Sequence, residues 1–297
     1  MNRFLVLGGS GYLGSRFVQL LPDSSGTFFG TSNHVSKEMF HFDGSDQHHF
    51  ETILKKIKPS VVINCIGFTK VDICDQLPEK SWQLNASYPR YYAEVCKKLD
   101  VKFVQISTDH YIHSSNSKLQ ESDLCDPVNQ YSFSKLFAER LILEVNPEAL
   151  VVRTNFFHFN FRAPITFLDH LLLRSQSKQR TSSFDDVIFT PISTNRLLGS
   201  IYDLIKLNYC GLINICGSEA ISKFTFHKEV LKALGISTEL HYPVSVDKER
   251  LCATRPKNMA LDNTLLESIL KYRLPSIYDM IQEEIRFAKK GVDSVVI

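Results

Sequence analysis

The sequence predicts an α/β protein: a doubly wound parallel sheet followed by a smaller α/β C-terminal lobe. Short apolar runs recur at Phe4–Leu7, Ser60–Asn64, Val101–Ile106 and Ala149–Val152, each the length of a buried strand. Helix-length segments separate them, and strand–helix alternation of this kind builds parallel sheets covered on both faces. The glycine-rich segment Gly8-Gly-Ser-Gly-Tyr-Leu-Gly14 follows the first run directly, where a sheet of this class turns into its first helix.

Taken in order, the first helix is expected over Tyr12–Leu21, a loop over Pro22–Gly26 and a second strand over Thr27–Gly30. Helices are expected at Phe50–Ile57, Lys80–Leu99 and Tyr131–Val145. Farther on, the pattern is less regular. Ser175–Ser183 is polar enough to predict a mobile loop, while Asn195–Asn208 and Thr225–Leu234 read as helices. Gly211–Cys216 reads as one more strand of the main sheet. The expected division is therefore 1–154 with about 186–216 as the nucleotide-binding domain, and 155–185 with 217–297 as the substrate lobe.

Composition narrows the class. At 297 residues, with 43% hydrophobic and 22% charged residues, the chain carries an ordinary globular core. A net charge of +2 argues against nucleic acid or an acidic membrane surface as partner. Seven scattered cysteines form no Cys-x-x-Cys pair, which reads as reduced thiols in a cytoplasmic protein. The apolar run at the start is too short for a signal peptide or a membrane span. Ten histidines show no metal-ligand spacing, and His48-His49 read as a cap or loop decoration, so no zinc site is expected.

The glycine spacing has a physical reading. Gly8 permits a tight turn, Gly11 lets backbone approach a pyrophosphate, and Gly14 lets the helix pack on the sheet. The following helix start supplies free N–H groups for phosphate. Beyond the second strand, Gly30-Thr-Ser-Asn-His34 offers no carboxylate for a ribose 2′-hydroxyl, which favours NADPH while leaving NADH open. Lys37 is placed either to pair with the 2′-phosphate or to sit in solvent. Asp43 is placed either to touch the adenine amine or to cap the next helix. In Tyr131-Ser-Phe-Ser-Lys135 a phenol and an ammonium stand one helical turn apart, downstream of Ser107-Thr108-Asp109. A lysine so placed is expected to lower the phenol's pKa and make it a better proton donor.

These segments resemble the extended short-chain dehydrogenases/reductases, closest to the dTDP-4-dehydrorhamnose reductase group. The likeness is carried by Gly8–Gly14, Ile63–Asp75, Leu84-Asn85-Ala86, Ile106–Asp109, Glu121–Asp123, Pro127–Tyr131, Lys135 with Glu139, and Val152-Arg-Thr154. Arg255-Pro-Lys-Asn-Met-Ala-Leu-Asp262 resembles that group's arginine–proline segment. The resemblance implies a Rossmann-type fold in which Thr108 orients a carbonyl oxygen, Tyr131 protonates it and Lys135 holds the nicotinamide ribose. It further implies that Gly8, Ser10, Gly11, Tyr12, Leu13, Gly14, Ser32, Asn33 and Asp43 hold the coenzyme. Cys65, Ile66, Gly67 and Asn85 would join them, together with Tyr131 and Lys135. Asp109, His110, Asn155, Phe156 and Arg255 would contact a nucleotide-sugar substrate, Arg255 at its diphosphate. The Phe156–Arg162 segment could close over the nucleotide, with Arg162 facing diphosphate, or could be core.

One stretch departs from the group. Where it usually has a tyrosine and then an aliphatic–Phe-Asp-Gly run, this chain has His110-Tyr-Ile-His-Ser-Ser115. The loop lies beside the substrate, so the sugar is left open. The leading expectation is an NADPH-dependent reductase of a nucleotide-linked 4-keto-6-deoxy sugar in surface glycan biosynthesis. An epimerase on the same scaffold, or a non-catalytic NADP-binding regulatory subunit, are the alternatives. Monomer and homodimer are both compatible with the sequence.

Overall fold

The first strand, β1 (Arg3–Leu7), buries Phe4 and Val6 toward one face of the sheet and Leu5 and Leu7 toward the other. Period-two alternation of this kind makes a strand that needs cover on both sides. The computed structural model describes residues 2–20, 26–33, 39–42, 44–111, 118–159 and 167–293. Lys37, Asp43, Arg162 and the 112–115 part of the atypical loop lie outside them.

The main sheet also contains β2 (Thr27–Ser32), β3 (Phe40–His41), β4 (Val61–Asn64), β5 (Lys102–Ile106) and β6 (Leu150–Arg153). All are parallel, and their order across the sheet is β3-β2-β1-β4-β5-β6. A seventh strand, Gly211–Asn214, pairs in parallel with β6 at the far edge, as expected for that segment. The strand order reverses between β1 and β4, leaving a crevice at their carboxyl ends. One face is covered by α1 (Gly14–Leu20), the other by α2 (Gln47–Ile57), α5 (Tyr88–Lys98) and α6 (Gln130–Val145).

Several boundaries differ from expectation for local reasons. Helix α2 starts at Gln47 because Asp46 caps it, accepting from the His49 N–H at 2.9 Å, so His48 and His49 belong to its first turn. The segment expected as one helix over Lys80–Leu99 is broken instead. After a separate α3 (Val71–Gln76), it runs through α4 (Pro78–Trp82), a wider π-type turn over Gln83–Ser87, and then α5. Tyr88 donates five residues back to Gln83, and Pro89 follows without an N–H of its own.

Four short strands, β7 (Phe156–Phe157), β8 (Thr181–Phe184), β9 (Ile188–Phe189) and β10 (Ile192–Ser193), surround α7 (Phe167–Gln176). After β10 come α8 (Thr194–Lys206), the edge strand β11 (Gly211–Asn214), β12 (Ile221–Ser222) and α9 (Lys223–Ala233). The chain closes with β13 (His241–Val244), β14 (Asn258–Met259), α10 (Thr264–Leu270) and α11 (Ile277–Asp293). Strand β9 pairs with β12 and β14, so residues 188–189 belong to a small sheet and not to the main one. The loop expected over Ser175–Ser183 is likewise partly ordered. Its last residues form β8, held in parallel to β13. Polar side chains hid that strand: Thr181 bonds His241 at 2.9 Å and Ser183 bonds His227 at 2.6 Å.

Candidate active site

The glycine turn is compact because nothing larger fits. Gly8 has φ +77°, and a Cβ on Gly14 would stand 2.1 Å from the Gly8 carbonyl oxygen. A Cβ on Gly9 would stand 2.8 Å from the Gly30 Cα, so Gly9 matters to strand packing although the sequence reading passed over it. Across the crevice, the Cβ missing from Gly8 faces Ile66 and the Cys65 carbonyl carbon at 3.2 and 3.3 Å. The β1 turn and Cys65-Ile66-Gly67 therefore share one wall. Ser10, Gly11 and Gly67 are exposed there, while Leu13 is core and contributes backbone only. Ser32 is buried at the end of β2 and Asn33 is exposed beyond it.

Asn85 has another task. Its amide oxygen accepts from the Phe68 N–H at 2.8 Å, and its nitrogen donates to the Phe68 carbonyl and Ser134 at 3.0 Å. With its polar atoms used in this way, Asn85 ties the Gly67–Phe68 loop to α6 and positions that loop.

Tyr131 owes its position to the start of α6. Asn129 caps the helix by accepting from the Ser132 N–H at 2.8 Å, and Ser132 Oγ accepts from the Asn129 N–H at 3.2 Å. Asn129 also donates to the Thr254 carbonyl at 2.8 Å, and the Gln130 N–H donates to Asp75 at 2.7 Å. Tyr131, Lys135 and Glu139 then lie on one buried face, one turn apart. The Lys135 ammonium donates to the Ile106 carbonyl at 2.6 Å. Thr108, two residues beyond that strand end, lies beside the Tyr131 phenol. Thus Thr108, Tyr131 and Lys135 meet at the carboxyl end of β5.

Their electrostatics depart from expectation in one respect. Burial pushes the phenol up to about 12, and the Thr108 side chain works against this. The Lys135 ammonium is directed at the Ile106 carbonyl. Burial brings Lys135 itself down to about 8, opposed by Glu139. Behind the triad, Glu139 accepts from Ser107 at 2.5 Å and Tyr111 at 2.9 Å, and pairs with Arg153 at 2.7 Å. This buried bidentate pair braces the strand end that carries Thr108.

Asp109, also buried, accepts from Asn155 at 2.7 Å, and burial raises its carboxyl to about 6. His110 stands edge-on to the Tyr131 ring, centroids 5.7 Å apart. Burial, then the charges of Arg255 and Lys223, drive it down to about 3, so its ring is neutral at physiological pH. Arg255 was expected at the diphosphate. It is already paired, donating to Asp72 at 2.9 Å and to the Ala253 carbonyl at 2.7 Å.

Asn155 and Phe156 line a cavity of about 420 Å³ with Tyr12, Phe184, Phe189 and Phe226. Tyr12 stacks on His158 at 3.7 Å and donates to the His158 carbonyl at 2.8 Å, joining the glycine turn to this cavity. Phe157 and Phe159 pack into the core. The sequence reading missed Lys223, which also lines the cavity. One local signal marked it: Ser222 caps α9, so Lys223 is a cation at the positive end of a helix, where cations are disfavoured. Thr154 Oγ1 and His110 Nε2 are buried without a hydrogen-bond partner among the described residues. Also among the described residues, no cluster of His, Cys, Asp and Glu could hold a metal, and no helix is long and apolar enough to cross a membrane.

Fold and site together define an extended short-chain dehydrogenase/reductase, a nicotinamide-nucleotide-dependent oxidoreductase of nucleotide sugars. The chain belongs to the RmlD substrate binding domain family, whose model matches residues 1–288. It is 26% identical over 285 residues to the probable low-salt glycan biosynthesis reductase Agl14 of Haloferax volcanii, covering 92% of this chain and 94% of that one. It is 23% identical over 290 residues to methionine adenosyltransferase 2 subunit beta of Bos taurus, covering 90% and 82%. Its fold matches the crystal structure of Bacillus anthracis dTDP-4-dehydrorhamnose reductase in complex with NADP. The TM-score is 0.87 at 21% identity, over 96% of this chain and 98% of that one.

Proposed function

We propose that this protein is an NADPH-dependent reductase of a nucleotide-linked 4-keto-6-deoxy sugar, with Tyr131 as proton donor, serving surface glycan biosynthesis in the cytoplasm. The observation that carries the reading is the buried Tyr131 phenol beside Thr108, with Lys135 one turn along and a substrate-sized cavity opening at Asn155. The Haloferax volcanii relative, named a glycan biosynthesis reductase, supports the setting.

The residues present fit a dinucleotide coenzyme. A Cβ on Gly14 would collide with Gly8, so the helix start packs tightly on the turn, and the exposed Gly11 leaves its backbone open to a pyrophosphate. Gly8, Ser10, Gly11, Tyr12, Leu13 and Gly14 would hold it, with Ser32 and Asn33 toward the adenine ribose. The described end of β2, Thr31-Ser32-Asn33, carries no carboxylate to repel a 2′-phosphate, which supports NADPH over NADH. Cys65, Ile66, Gly67 and Lys135 would flank the nicotinamide end. When bound, the coenzyme supplies the hydride.

Everything else falls to the chain. Thr108 donates a hydrogen bond to the substrate's carbonyl oxygen and fixes its direction. Tyr131, fully protonated at neutral pH, gives its phenolic proton to that oxygen. Lys135, charged and anchored, supplies a positive field beside the reacting oxygens. Asp109 and Asn155 present a carboxyl and an amide to sugar hydroxyls. In this reading residues 1–154 with about 194–216 serve the coenzyme, and 155–193 with 217–297, which include the small sheet of β9, serve the substrate.

Measuring NADPH oxidation across a small panel of nucleotide-linked 4-keto sugars tests the proposal. One coenzyme oxidised per sugar reduced is the expected result. A folded sample that oxidises none with any of them overturns it, and sugar conversion without net oxidation indicates an epimerase. The likeness to the bovine beta subunit supports a second reading, a non-catalytic NADP-binding regulatory subunit. Coenzyme binding with no turnover of any sugar would favour that reading.

A further inference from the structure

Lys223 opens helix α9, its N–H bonded to the Val187 carbonyl at 3.0 Å and its Nζ directly over the Phe189 ring, 3.4 Å from the centroid. The neighbouring cations are engaged: Lys135 with the Ile106 carbonyl, Arg153 with Glu139, and Arg255 with Asp72. Lys223 differs. Among the described residues its ammonium makes no hydrogen bond and no ion pair, and only the more distant charge of Asp109 acts on it.

Lys223 is half-buried with its ammonium against the Phe189 ring, where water lost without a partner gained is costly. Burial lowers it to about 8, with Asp109 opposing, and the ring face offsets only part of that cost. Its position at the positive end of α9 adds to the imbalance. Three unused donors and an uncompensated charge call for an anion with several oxygens.

Position decides which anion. On the same cavity wall, Asn155 reaches back to Asp109 beside the carbonyl-orienting Thr108. The same cavity is lined by the rings of Phe184 and Phe226, which suit a planar base. Between a sugar at Thr108 and a base among phenylalanines, a nucleotide sugar has its diphosphate.

We propose that Lys223 contacts the substrate and holds its diphosphate, and that the phenylalanine-lined part of the cavity receives the nucleobase. The inference rests on the nucleotide-sugar reading above.

Calorimetric titration of the full chain with dTDP and UDP, and with thymidine and uridine as phosphate-free controls, tests it. Lys223→Met should weaken the better-bound diphosphate about 10- to 100-fold, the size of a charge-assisted contact. The nucleosides should be unaffected, and Lys223→Arg should restore most of the loss. With a turned-over substrate, KM should rise and kcat should change little. Unaltered NADPH affinity and a melting temperature no lower than wild type report that the variant is folded. Unchanged dTDP and UDP affinities in Lys223→Met overturn the proposal, as does a wild-type protein that binds neither. A Lys223-dependent diphosphate affinity without reduction of any keto sugar would overturn the reductase reading and leave this assignment standing.

Discussion

The Lys135 ammonium donates a 2.6 Å hydrogen bond to the carbonyl of Ile106, the last residue of the strand that leads into Thr108. One side chain thereby joins the helix carrying Tyr131 to the strand end carrying Thr108. Replacing Lys135 with Met removes the charge and leaves the Ile106 carbonyl only the Gln105 side-chain amide, 2.8 Å away, as donor. NADPH affinity should fall about tenfold or more, the worth of one lost charge-assisted bond. Turnover should fall about 10²- to 10⁴-fold. A coenzyme fluorescence titration paired with steady-state kinetics measures both.

Tyr131→Phe isolates the proton. The ring stays, so the packing against His110 stays, and NADPH affinity should hold within a few-fold. Turnover should fall about 10²- to 10⁴-fold. Full activity in this variant would remove Tyr131 from the chemistry.

Glu139 and Arg153 form a pair whose side chains are only 3% and 4% exposed. Glu139→Gln leaves the guanidinium buried and uncompensated, a change that typically costs about 3–5 kcal/mol. A loss of that size in the unfolding free energy is expected, seen as a lower urea midpoint, with loss of activity following from the displaced Thr108. A wild-type midpoint would show that the pair does not brace the site.

Two glycines should respond in opposite directions. Gly14→Ala places a Cβ 2.1 Å from the Gly8 oxygen and should destabilise by about 1–3 kcal/mol while weakening coenzyme binding. Gly199, inside α8, has nothing within 4 Å of its missing Cβ. Gly199→Ala should therefore stabilise by about 0.5–1 kcal/mol, because alanine is the better helix former. Thermal melts of the two variants check the pair.

Asp109 sets a pH dependence. Its carboxyl ionises near 6 in the folded chain against an ordinary 3.8. Between those pH values the folded protein keeps a proton that the unfolded chain releases. Stability is therefore greatest below about 4 on this account, and is lost as pH rises through 6. Asp109→Asn abolishes that loss, so the variant should gain about 2 kcal/mol relative to wild type between pH 4 and 7. Urea titrations at both pH values measure the gap, and a gap that does not change with pH contradicts the buried-carboxylate account.

Local pattern accounts for what could be read in advance. Tyr131 and Lys135 share a helix, and their one-turn spacing needs no tertiary information. Thr108 ends an apolar strand, so its place at the sheet's carboxyl edge followed from strand polarity. Elsewhere local pattern was silent. Strand β8 is built of Thr-Ser-Ser-Phe and shows no apolar run, because its order comes from the β13 ladder and two histidine partners. The Lys80–Leu99 segment has a helical period throughout, yet the π-type turn that aims Asn85 depends on Phe68 and Ser134 from other elements.

By itself, then, the sequence determined the strand–helix alternation, the glycine turn and the one-turn pairing of Tyr131 with Lys135. These follow from residue period and from the backbone freedom of glycine, both short-range properties. Only the tertiary structure decided how the charges were shared out. It neutralised Arg255 with Asp72, turned Lys135 onto a carbonyl, and left Lys223 uncompensated over a phenylalanine ring. The reason is electrostatic: a side chain's charge is worth little or much according to its burial and partners, and partners distant along the chain exist only once it has folded.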